Sequence, residues 1–120
     1  MEMKKLYELI EQAGTFTFST IGESGEVQSR IAHFNGYDEE GLYFRTMTSK
    51  PYYRQLMSTG KLTVCGITDS KILGHEPDGT PVFPPSFVLR LVGEVKHVPE
   101  EIIREKAKTN DYLITAVQDM

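Results

Sequence analysis

The sequence predicts a mainly β protein, a small antiparallel barrel with flanking helices. Three observations predict it. Five stretches carry the period-two alternation and β-branched content of strands, and most are separated by glycine-rich or acidic turns. Helical periodicity is confined to the two ends and one insertion. The chain has 120 residues, which suits a single domain spanning 1–120 with a core of useful size. Open strand edges are a liability, so five strands of this length are expected to curl into a barrel.

Each element has its own signal. Residues 3–13 read as a helix, because Leu6, Leu9, Ile10 and Ala13 share one face and Gly14 stops it. Thr15 to Ile21 changes period and reads as the first strand, followed by a turn at Gly22 to Gly25. Val27 to Asn35 is the second strand, Gly36 to Gly41 a turn, and Leu42 to Met47 the third strand. Pro51 suits the first position of an inserted helix, with Ser49 or Lys50 as cap and Gly60 as stop. Leu62 to Thr68 is the fourth strand. Residues 69–85 form a long, proline-rich loop with a short extended piece at Pro81-Val82-Phe83. Ser86 to His97 is the fifth strand, with Phe87, Leu89, Leu91 and Val95 on one face. A charged helix follows Pro99, Asn110-Asp111 breaks it, and Tyr112 to Val117 starts a last helical piece.

The hairpin of strands two and three carries the chemistry. Pairing Arg30 with Thr48 groups Ala32, Phe34, Leu42 and Phe44 on one face, whereas pairing it with Met47 mixes them. The first register sets Arg30, Thr46 and Thr48 on one face where the inserted helix begins. A helix start leaves backbone N–H groups unpaired and carries roughly half a positive charge. Ser49 and Lys50 sit on it. Backbone donors, hydroxyls, an ammonium and a guanidinium then converge as a phosphate monoester requires. On its own, Thr48-Ser49-Lys50-Pro51 also reads as a simple helix cap with a solvated lysine.

Ser29-Arg30-Ile31-Ala32, then Gly41-Leu42-Tyr43-Phe44-Arg45-Thr46, then Ser49-Lys50-Pro51 with Arg54-Gln55-Leu56, and later Leu89 to Val95 occur in a fixed order. In these pieces the chain resembles the pyridoxamine 5′-phosphate oxidase-like proteins over roughly residues 5–98. The resemblance implies an FMN-binding split β-barrel that dimerises and holds FMN at the subunit interface. It implies that Arg30 and Lys50 contact the FMN phosphate with help from Ser49 and Thr46. The backbone of Ile31, Ala32 and His33 would run beside the isoalloxazine ring, with Phe44 and Arg45 lining the same cleft. Three departures stand out. Arg45 replaces an aromatic residue frequent before the Thr, the 69–85 loop is longer and richer in proline, and the chain ends at Met120 where many relatives add a strand. A barrel truncated at its C-terminus leaves an edge open or covered by a partner.

Other features narrow the function. A net charge of −4 argues against a nucleic-acid coat. The single cysteine, Cys65, allows no internal disulfide, no stretch is a signal peptide or a membrane span, and the cytoplasm is the expected location. His33, His75 and His97 are scattered without ligand spacing, so no metal site is expected. His33 reads either as an exposed strand residue or as a hydrogen-bond partner of the flavin. No residue stands out as a general acid or base. The leading reading is an FMN-dependent oxidoreductase of unassigned substrate. The alternatives are a non-catalytic module for flavin, deazaflavin or haem, and a degenerate barrel kept for dimerisation.

Overall fold

A computed structural model describes residues 2–110. The helical piece expected from Tyr112 lies outside the described residues. Helix α1 (Met3–Ala13) and helix α2 (Pro51–Thr59) form as their periodicity predicts. Strand β1 (Phe16–Ile21) pairs antiparallel with β2 (Val27–Ala32) along its whole length. On its other side β1 pairs with β5 (Lys61–Ile67), which pairs in turn with β8 (Val88–Glu94). The result is one four-stranded antiparallel sheet, ordered β2-β1-β5-β8. Helix α3 (Glu100–Ala107) follows Pro99.

The sheet has one packed face. Phe16, Phe18, Leu62, Val64 and Leu89 are buried there with Tyr7 and Ile10 of α1 and Tyr52 and Leu56 of α2. Residues directly opposite in an antiparallel pair share a face. Phe18 lies opposite both Arg30 and Val64, and Val64 opposite Leu91. One inward row therefore runs Arg30, Phe18, Val64, Leu91. Gly66 also faces inward, where a Cβ would lie 2.3 Å from the Phe16 ring, so only glycine leaves room for that ring. The outward face is different: Val27, Ile31, Val88 and Val92 are all exposed on it.

Several expectations are corrected. The described strands form no closed barrel; the sheet stays open. Strands two and three do not make one long hairpin. Gly36, expected in a turn, begins β3 (Gly36–Asp38), which pairs with β4 (Gly41–Tyr43) as a separate ribbon. The expected register, with Arg30 opposite Thr48, would set Gly36 opposite Leu42; it faces Tyr43 instead. The cause is local. Asp38 Oδ1 accepts the N–H groups of Glu40 at 2.9 Å and Gly41 at 3.3 Å, which fixes Glu39 and Glu40 as the two loop residues. Hydrophobic grouping survives the shift, because Ala32, Phe34, Leu42 and Phe44 all pack on the core. Phe87, expected on the inward face, is 63% exposed, because the strand begins only at Val88. The 69–85 segment contains a two-stranded ribbon, β6 (Gly74–His75) with β7 (Pro81–Val82).

Helix α3 is clipped to the β3–β4 ribbon by one lysine. Lys106 Nζ donates to Asp38 Oδ2 at 2.8 Å, Glu40 Oε2 at 2.9 Å and the Tyr43 hydroxyl at 2.7 Å. Tyr43 donates its own proton to Asp38 Oδ2 at 2.8 Å. Burial pushes the Asp38 carboxyl up, but the bonds from Lys106, Tyr43 and the Glu40 N–H outweigh it and hold it below its ordinary value. Its own bonds to Asp38, Tyr43 and the Glu40 side chain raise the Lys106 ammonium. A depressed carboxyl stabilises the fold above its unfolded pKa, and a raised ammonium does so below its own. The clip should thus contribute fully between about pH 4 and pH 10, and lose its contribution only progressively beyond, as pH falls towards the lowered carboxyl value or rises towards the raised ammonium value. Lys106→Met should cost about 1–3 kcal/mol in urea unfolding at pH 7, by stranding Asp38, and much less at pH 3. Glu40→Gln, at the exposed rim, should cost under about 1 kcal/mol.

Candidate functional site

Of the residues singled out in the sequence, Arg30 of β2 is tied to the first turns of α2, the helix that Lys50 precedes. Lys50 is the N-cap residue of α2, with extended backbone, and Pro51 opens the helix. No side chain caps that end, so neither Thr48 nor Ser49 spends its hydroxyl on the helix. Thr48, Ser49 and Lys50 are exposed, and Thr46 is half-buried. The Lys50 ammonium makes no ion pair among the described residues.

Arg30 reaches α2 from the sheet. Its guanidinium carbon lies 3.6 Å from the centre of the Tyr52 ring, a stacked cation–π contact. Its Nη2 donates to Gln55 Oε1 at 3.3 Å, and the Thr20 hydroxyl donates to the same oxygen at 2.8 Å. Arg30 thus bolts the first turns of the helix to the packed face of the sheet. Two buried polar atoms are left over: Arg30 Nε and the Tyr52 hydroxyl have no partner among the described residues. Such orphans are rare in folded proteins and mark strain or function.

The other predicted positions divide by parity. Ile31 points to the outward face, with His33 exposed just beyond the strand. Ala32 packs on the core. Phe44 turns inward, with ring contacts to Phe18 at 5.2 Å and Phe34 at 6.3 Å, so its side chain belongs to the core rather than to a cleft wall. Arg45 is exposed beside it. Because β2 is the last strand of its sheet among the described residues, its outer backbone N–H and C=O groups have no strand partner there. Among the described residues no cluster of His, Cys, Asp and Glu is arranged to hold a metal ion, and no helix is long and apolar enough to cross a membrane.

A charge signal lies plainly in the sequence and strengthens this end. From Gly41 to Thr68 the chain carries Arg45, Lys50, Arg54 and Lys61 and not one carboxylate, although the whole protein is acidic. Among the described residues, only Arg54 of these has an ion-pair partner, Glu23 at 3.8 Å. The arrangement can attract an anion, and it offers hydroxyls and an ammonium to bind one. Tyr52, beside it, packs in the core and also carries the Arg30 stack, which spacing alone does not reveal.

Comparison with known proteins follows the same line. The profile of the pyridoxamine 5′-phosphate oxidase family matches residues 3–116. A solved structure, that of the conserved hypothetical protein Rv2991 from Mycobacterium tuberculosis, superposes with a TM-score of 0.58 at 14% identity. The match covers 87% of this chain and 59% of that one, so the chain spans about three-fifths of that neighbour's length. At this identity the likeness concerns the fold. No curated protein matches the chain.

Burial of Tyr52 pushes its phenol up to about 12, with the Arg30 charge opposing the shift. The unfolded phenol ionises near pH 10, so this residue favours the folded state below pH 10 and loses that contribution by about pH 12. Absorbance titration of tyrosinate should show a component near pH 12 that vanishes in Tyr52→Phe. That variant should be no less stable than the parent, or more stable by up to about 1 kcal/mol, because the lost hydroxyl had no partner.

Proposed function

We propose that this chain, which belongs to the pyridoxamine 5′-phosphate oxidase family, binds FMN and acts as a flavin-dependent oxidoreductase. The observation that carries the reading is the start of α2: a carboxylate-free, cation-bearing segment whose free hydroxyls and ammonium adjoin a guanidinium held against the same helix. That donor set fits a phosphate monoester. A phosphate needs several hydrogen-bond donors plus charge neutralisation, and both are present. Lys50 and Arg30 would supply the charge, with Ser49 and Thr46 as hydroxyl donors. The edge backbone from Arg30 to His33 would offer its unpaired groups to the ring, near Arg45. The Phe44 side chain has no part in this, since it packs in the core.

The flavin, when bound, supplies the redox chemistry. The protein's contribution is to bind, orient and neutralise. The Tyr52 stack and the Gln55 bond remove freedom from Arg30 before any ligand arrives, which lowers the cost of ordering it. The substrate is left unassigned; the family's name does not make it a vitamin B6 compound. The outward sheet face, with Val27, Ile31, Val88 and Val92 exposed, supports a homodimer with the flavin site at the interface. A cytoplasmic location agrees with the single cysteine.

The purified protein should show flavin absorbance, or take up added FMN with quenching of its fluorescence. Lys50→Ala and Arg30→Ala should each weaken FMN about 10–100-fold, and riboflavin, which lacks the phosphate, should bind equally weakly to parent and Lys50→Ala. A colourless protein that takes up no FMN would sink the reading. Anaerobic bleaching of the bound flavin by NADH or NADPH is the outcome expected of an enzyme rather than a carrier.

A further inference from the structure

We propose that residues 69–87 form a dimerisation arm that lies on the outward sheet face of a second copy of this chain. This goes beyond the homodimer above by naming the segment that holds it together. The arm is an extension of the β5–β8 hairpin. Thr68 N–H donates to Phe87 O at 3.0 Å and Phe87 N–H to Thr68 Oγ1 at 2.9 Å, which continues the ladder past the end of the sheet. Pairing then lapses, because Pro84 and Pro85 have no N–H to give. It resumes as β6–β7, where Leu73 N–H reaches Val82 O at 2.8 Å and Glu76 N–H reaches Thr80 O at 2.8 Å. Five residues, 69–73, lie between Thr68 and Gly74, against four, 83–86, between Val82 and Phe87, so the two sides of the gap are unequal in length.

One physical fact makes a free arm unsatisfactory. A two-stranded ribbon is marginal in water unless its face is covered. This ribbon is fully formed, yet Leu73 is 62% exposed and Ile72, Phe83 and Phe87 are exposed with it.

The same chain carries the complementary surface. The outward face presents Val27 and Ile31 on β2 and Val88 and Val92 on β8, all exposed. Arg90 stands in the middle of that face, opposite Cys65, and has no ion pair among the described residues. The arm tip carries Glu76 and Asp78. Apolar residues thus meet apolar residues and carboxylates meet an unpaired guanidinium. A two-fold arrangement uses both surfaces twice, since each copy gives an arm and receives one.

Sedimentation velocity tests the arm. The parent should run at about twice the 13.6 kDa chain mass. Leu73→Ser with Phe83→Ser alters only exposed side chains; it should keep the far-UV circular dichroism and raise the dimer dissociation constant about 100-fold. A second measurement needs no variant. In hydrogen exchange the Leu73 and Glu76 amides of the parent should be protected when dimeric and lose that protection on dilution to monomer. A double variant that dimerises as tightly as the parent, or arm amides whose protection ignores dilution, would overturn the arm while leaving the dimer standing. A parent that is monomeric at high micromolar concentration would overturn both. FMN uptake by that monomer would still leave the flavin reading intact.

Discussion

The burial of Phe18 is the constraint from which the rest of the structure follows. Phe18 is fully buried at the centre of β1, between β2 and β5. Side chains alternate strictly along a strand, so one inward residue fixes the parity of its whole neighbourhood. Val64 and Leu91 must then face inward, as must Arg30 across the β1–β2 pair. An inward guanidinium cannot be left bare. The chain answers with the Tyr52 face and the Gln55 amide oxygen, both from α2. The helix is thereby drawn to the β2 end of the sheet, and its unpaired N-terminal segment comes with it. The same parity turns Ile31 and Val92 outward and leaves them exposed.

The sequence displayed the elements well and their partnerships less well. Helices α1 and α2 could be read from their spacing and from Gly14 and Gly60; Gly60 adopts a left-handed conformation that favours glycine. The mainly β antiparallel architecture and the long strand around Leu89 and Leu91 were equally legible. The register of the 36–43 ribbon was not. It is decided by a side chain, Asp38, that accepts two turn N–H groups, and alternation of apolar residues carries no trace of that choice. Nor does alternation foretell that the ladder stops at Ala32 and restarts at Gly36 as a separate ribbon.

The candidate site was legible in its residue types but not in its joints. Lys50, Ser49 and Pro51 mark a helix start wherever they occur together. That Arg30 belongs beside them was inferred from a register that proves to be off by one, and the pairing with β1 is what sends Arg30 there. Gln55 and Tyr52 gave no signal of their own, because a polar and an aromatic residue on a helix are ordinary. The absence of carboxylates from Gly41 to Thr68 was visible and is the stronger clue. Attraction over several ångströms depends on the sum of charges, whereas a motif reports only its own four residues.

The segment from Phe44 to Lys50 has no regular secondary structure, yet both of its ends are fixed. Tyr43, just before it, is held by Lys106 and Asp38. Phe44 is wedged between Phe18 and Phe34. Tyr52, just after it, is buried under Arg30. Between these anchors the side chains of Arg45, Thr46, Thr48, Ser49 and Lys50 make no hydrogen bond among the described residues. A short segment tied at both ends loses little further backbone entropy when it closes on a ligand, while its unspent donors keep their full capacity to bind one. Fixed ends and unspent donors thus coincide in one segment, and α3, remote in sequence, holds one of those ends through Lys106.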